Sequence, residues 1–195
     1  MAEEKRKISP WLQYILAIDR KLTENFVQFV EKSVQISCHG VTWIFILLAS
    51  IWIFHSKRLY QIQVNLLIGI LLDIIIIGLL KAFARRRRPA DNDDPFAIGS
   101  DKYSFPSGHA SRVMMIFYFF MYLWPVSVIC FPPLVAWVIA TPLSRLLMRR
   151  HYILDILAGL FIGYAEGILM SIIYLDSDTC QNFVSWITNV RVDEL

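Results

Sequence analysis

Three short polar stretches hold most of the residues in this chain that are equipped for chemistry. The first is Lys81, six intervening residues, then Arg88 and Pro89. The second is Pro106, Ser107, Gly108 and His109, and the third is Ser144 and Arg145, five residues, His151, three residues and Asp155. Cations, imidazoles and one carboxylate in this proportion suit phosphoryl transfer. The non-bridging oxygens of a phosphate ester stay charged through the transition state, while nucleophile and leaving group lie roughly in line. Lys81, Arg88 and Arg145 supply the neutralising charge, and an arginine fork grips two phosphate oxygens at once. Ser107 and Gly108 stand where a helix would begin, with free backbone N–H groups and no bulk to hold an anion away. His151 and Asp155 are four residues apart, so helix there puts both on one face. The carboxylate could then orient one ring nitrogen and leave the other to attack. His109, beside the anion cradle, could protonate the departing oxygen and later activate water.

For these stretches to act together the rest of the chain must carry them to one surface. Of the 195 residues, 56% are hydrophobic and 18% charged, with a mean hydropathy of +0.52. A membrane protein is expected from such a balance, and the length suits one domain. From Trp11 to about Ser37 apolar residues recur at helical spacing between charges, which predicts an amphipathic helix lying in the membrane interface. Apolar runs over 39–54, 64–80 and 153–174 read as spans. The uncharged 113–142 run, interrupted by Pro125, Pro132 and Pro133, reads as two more with a tight turn between them. Five crossings put 81–105 and 144–151 on the same side of the membrane. The expected organisation is an N-terminal tail and interfacial helix over 1–38, a transmembrane catalytic domain over 39–175 and a short acidic tail over 176–195.

The three stretches, in this order and spacing, resemble the signature of the type 2 phosphatidic acid phosphatase (PAP2) superfamily. "RRRRPA" followed by "DKYSFPSGHA" is similar to its polyisoprenoid diphosphate phosphatase branch. The resemblance implies an all-α membrane bundle of PAP2/haloperoxidase type, with about five transmembrane helices plus the amphipathic one and the site at one end. It implies His151 as nucleophile, Asp155 as its orienting partner and His109 as general acid. Lys81, Arg88, Ser107, Gly108 and Arg145 would bind the phosphoryl group. It also implies no metal or other cofactor. The substrate expected is a lipid phosphate or an isoprenoid diphosphate such as farnesyl or presqualene diphosphate, in the endoplasmic reticulum or nuclear envelope membrane.

Other features are assigned more plainly. Cys38, Cys130 and Cys180 are too few and too scattered for a disulfide framework or a metal site. Arg85, Arg86 and Arg87 fit either a basic membrane flank or a grip on a second phosphate; nucleic acid is not an expected partner. Asp73 and Glu166, inside spans, are expected to face the bundle interior and find partners there. The charged start does not read as a cleaved signal peptide, and the terminal "VDEL" departs from a retrieval signal. Two rivals stand beside the hydrolase: a non-catalytic scaffold with the same fold, and vanadate-dependent oxidation in the same pocket.

Overall fold

The computed structural model describes residues 9–54, 56–89 and 102–188. The charged start, the terminal "VDEL" with Asp193 and Glu194, and most of the loop before Lys102 lie outside the described residues. Two compact units are present, Met1–Ile36 and Ser37–Leu195. The first contributes most of one long helix, α1 (Pro10–Ser37). In the second follow α2 (Gly40–Phe54), α3 (Lys57–Ala84), α4 (Gly108–Tyr118), α5 (Phe131–Leu147), α6 (Ile153–Ile173) and α7 (Ser177–Thr188). Among the described residues there is no strand, only an isolated antiparallel bridge between Arg87 and Tyr103.

Among the described residues, three helical segments are by themselves long and apolar enough to cross a membrane: Lys57–Ala84, Val128–Leu147 and Ile153–Ile173. The sequence reading expects about five. The difference lies in α2 and α4. α2 has 15 residues, a rise of about 22 Å against a hydrocarbon core of about 30 Å. α4 spends its first turn on the polar Gly108–Arg112 stretch, then widens into a π-helical turn, Phe119–Leu123, and stops at Trp124 before Pro125. The expected acidic tail also contains structure. Cys180 and Val184 of α7, one turn apart, are buried against Tyr60 and Val64 of α3. Asn65 holds the preceding turn, donating to the Leu175 carbonyl (3.0 Å) and accepting from the Leu175 N–H (2.8 Å).

α4 is the central helix, and its most extensive packing is against α6. The reason is a stripe of glycines on one face of α6, Gly159, Gly163 and Gly167, which lets two backbones approach closely. A Cβ on Gly163 would sit 2.0 Å from the Ser111 carbonyl oxygen, and one on Gly159 would sit 2.4 Å from that of Ser107. Gly78 of α3, by contrast, has nothing within 4 Å of such a carbon. Gly163→Ala is therefore expected to lower the thermal midpoint of the detergent-solubilised protein, at an overpacking cost of about 1–3 kcal/mol. Gly78→Ala should leave the midpoint unchanged or raise it, because alanine is the better helix former.

Charged side chains tie the same helices together inside the bundle. Arg112 of α4 donates to Asp73 of α3 (2.5 Å) and to the Cys38 carbonyl before α2 (2.6 Å). Ser111 donates to Glu166 of α6 (3.2 Å), whose carboxyl group lies close enough to that of Asp73 to act on it electrostatically. Asp73 and Glu166 are buried, as expected of intramembrane carboxylates. Removing one partner of such a cluster strands the others without water, so it fixes the register of α4 against both neighbours.

Candidate active site

The first turn of α4 meets the start of α6 at one end of the bundle, and the loop segments before each helix close over that junction. α3 ends on Arg85, whose positive φ of 46° lets its N–H return to the Lys81 carbonyl as a helix cap. The chain then runs extended through Arg86 and Arg87, where it meets Tyr103 and Ser104. Ser104 N–H donates to the Arg86 carbonyl (2.9 Å), and its hydroxyl donates to the carbonyls of Arg86 and Arg87. Ser107 N–H donates to the backbone carbonyl of Asp155 (3.0 Å), fixing the start of α4 on the first turn of α6. On the third side α5 ends with a return in which Arg149 adopts a φ of 52° and the Arg150 N–H reaches the Arg145 carbonyl. That turn delivers His151.

His151 is buried, and its Nδ1 lies 2.7 Å from the Ser104 carbonyl oxygen. A carbonyl can only accept, so Nδ1 carries the proton and Nε2 keeps its lone pair. Burial, followed by the nearby charges of Arg88 and Lys81, lowers the ring's pKa to about 3, against the opposing pull of the Ser104 carbonyl, with Arg145 adding to the depression. The imidazole is neutral across the ordinary pH range, as a nucleophile must be.

Asp155 takes a different place from the one expected. Its Oδ2 is 3.9 Å from His151 Nδ1, beyond hydrogen-bond reach, and accepts instead from the Tyr152 N–H at 2.9 Å. Its Oδ1 accepts from Arg86 at 2.6 Å. The physical reason is position: Asp155 is the third residue of α6, where a carboxylate folds back to cap the helix start. The dyad read from the four-residue spacing is thus a Ser104–His151 pair, with Asp155 behind it as cap and anchor for Arg86. Arg86 also lies over the Tyr152 ring, 4.1 Å from its centroid.

The other expected residues converge here. Lys81 and Arg145 are buried; with Arg88 they act electrostatically on His151. Arg145, Arg112, His151 and Lys81 all lie near enough to act on His109. The two imidazoles therefore share one site. Ser107 and Gly108 are buried at the start of α4. The Ser107 hydroxyl and His109 Nε2 are buried without a hydrogen-bond partner, and a buried polar atom left so points to a ligand that completes it. Such an arrangement can hold a small multivalent anion between cations and hydroxyl, with one imidazole placed to attack it and another to exchange protons.

Sequence reasoning passed over Ser104 and Arg112, and left Arg86 between two roles. Ser104 acts through its backbone carbonyl, which no residue type announces. Arg86 is one of four consecutive arginines, and only the fold distinguishes it from Arg85, whose Nε turns back to the Ala82 carbonyl. Arg112 did leave a signal: a cation three residues after His109, with two intramembrane carboxylates elsewhere in need of one.

Comparison with known proteins identifies a family. Residues 62–178 match the PAP2 superfamily. A probable lipid phosphate phosphatase beta of Arabidopsis thaliana is 34% identical over 140 residues, covering 58% of this chain and 66% of that protein. A lipid A 1-phosphatase of Rhizobium etli is 31% identical over 107 residues, covering 51% of this chain and 45% of that one. The Rhizobium johnstonii lipid A 1-phosphatase matches equally over 43% of its length. The chain thus covers less than two thirds of each of these relatives. No solved structure matches.

Proposed function

Because the chain belongs to the PAP2 superfamily, we propose that it is a membrane phosphatase that moves the phosphoryl group of a lipid ester first to His151 and then to water. The observation that carries this reading is the state of His151. One ring nitrogen is committed to a backbone carbonyl and the ring is neutral. The other nitrogen is left in a buried site that also holds Lys81, Arg88, Arg145 and a second imidazole. In the first step Nε2 of His151 bonds to phosphorus as the bond from phosphorus to the leaving oxygen breaks. His109, protonated once the negative charge of the bound ester offsets the burial and cations that lower its pKa, gives that oxygen a proton. In the second step water attacks the phosphohistidine, surrendering a proton to His109. The P–N bond breaks, inorganic phosphate leaves, and both rings return to their starting state. Lys81, Arg88 and Arg145 hold the charge on the equatorial oxygens throughout, with the Ser107 hydroxyl and the N-terminus of α4 closing the cradle.

The relatives' names share one act, removal of a phosphate from a lipid, and that shared part is what this reading takes from them. Burial of the site in a largely apolar bundle favours substrates that diffuse within the bilayer. Isoprenoid diphosphates and monophosphates are the preferred class on the strength of the basic run and the segment after it. Of that run, Arg85 turns to the Ala82 carbonyl and Arg86 to Asp155. The proposed location is the endoplasmic reticulum or nuclear envelope membrane, to be tested by imaging the tagged protein.

Purified protein in detergent micelles, with chelator present, is expected to release inorganic phosphate from farnesyl diphosphate, farnesyl phosphate or phosphatidic acid. An inert wild type across all three would favour the scaffold reading. Halide oxidation by peroxide in the presence of vanadate would favour the oxidase.

A further inference from the structure

A cavity of about 150 Å³ opens beside the catalytic groups, between α2, α3 and the start of α4. Lys81, His109, His39 and Arg112 form the polar part of its wall, and Val41, Ile74, Ile77 and Gly78 supply an apolar part along α2 and α3. Ile74, Ile77, Gly78 and Lys81 follow the i, i+3, i+4, i+7 pattern, so they form one stripe along α3. Seven residues of helix make that stripe about 10 Å long. The slot thus starts at the proposed acid and runs away from it along hydrocarbon. We propose that this cavity receives the leaving group, seating the first few carbons attached to the scissile oxygen, and that Gly78 sets the bulk admitted. The proposal rests on the phosphatase reading and adds to it where the departing portion lies.

Three observations support the assignment. His109 Nε2 is buried without a hydrogen-bond partner, and His109 helps to line this cavity. An oxygen leaving from the cavity side would meet that ring directly. The volume is also informative, since about this much space accommodates one benzene-sized group. The slot therefore takes roughly six carbons, not a whole tail. The remainder must leave toward lipid. Gly78 marks the way out: it is only partly buried, a Cβ there would touch nothing within 4 Å, and its neighbours Ile75 and Leu79 are exposed at 59% and 67%. At that point α3 presents its apolar outer face, and the missing side chain leaves a gap.

The open space at Gly78 makes the test clean, because a side chain can be added there without striking the backbone. Gly78→Ala and Gly78→Leu would be compared with wild type on farnesyl phosphate and on acetyl phosphate, whose leaving group has two carbons. Gly78→Leu is expected to lower kcat/KM for farnesyl phosphate by about tenfold or more, the scale of steric discrimination in an apolar pocket. Acetyl phosphate should change by less than about twofold, with Gly78→Ala intermediate on the lipid. Retained acetyl phosphate turnover would show that the catalytic site is intact. Equal loss on both substrates, or no loss on either, would overturn the cavity assignment and leave the phosphatase reading standing. A wild type inert to both substrates would overturn both.

Discussion

His151→Ala is expected to abolish turnover and phosphoenzyme labelling together, with a loss of at least about a thousandfold. The argument is specific to this side chain. Its Nδ1 proton is held by the Ser104 carbonyl at 2.7 Å, and burial, reinforced by the cations around it, keeps the ring neutral, with a pKa of about 3. Among the described residues, His151 is the imidazole with one nitrogen held by a backbone carbonyl and the other left for attack. Rapid quenching after incubation with radiolabelled acetyl phosphate would detect an acid-labile, base-stable label on wild type and none on the variant. Persistent labelling in His151→Ala would move the nucleophile elsewhere, and full turnover would refute the covalent route. The structure also changes what Asp155 should do. Since Asp155 caps α6 and holds Arg86 rather than the imidazole, its loss should act through the position of the His151 turn.

His109→Ala is expected to separate the two steps that His151→Ala removes together. A lipid alcohol is a poor leaving group and needs the proton, so turnover should fall by about 10²–10⁴-fold, the usual contribution of a general acid or base. Acetate leaves without help. The variant should therefore still be labelled by acetyl phosphate, and the label should persist, because the ring that activates water for the second step is also gone. The measurements are the amount of phosphoenzyme and its rate of decay after the substrate is removed. Loss of labelling to the same extent as in His151→Ala would mean that His109 is needed for the attack itself. Decay at the wild-type rate would remove it from the hydrolytic step.

Much of this molecule is legible without coordinates. Membrane spans are written in composition, because a bilayer tolerates few charges along a helix of its thickness, and Lys57–Ala84 and Ile153–Ile173 lie where the apolar runs predict spans. The cations and imidazoles are also legible, since phosphoryl transfer restricts the residue types that can serve it, and Lys81, Arg145, His109 and His151 do meet at one end of the bundle. What stayed hidden has one common cause. Periodicity reports which residues could face each other but says nothing of backbone carbonyls, close helix approach or competition for a carboxylate. Spacing alone joined His151 to Asp155. In three dimensions the Tyr152 N–H and Arg86 reach that carboxylate first, while the Ser104 carbonyl takes the ring. The same applies to α7, whose docking depends on Asn65 and on two small apolar residues in a polar stretch, and to Arg112, which became necessary only when α4 was pressed against α3 and α6. Sequence determined the chemistry and its solvent, because both depend on residue type. Tertiary structure decided which partner each polar group takes, because a hydrogen bond forms over about 3 Å and only the packed backbone sets distances that finely.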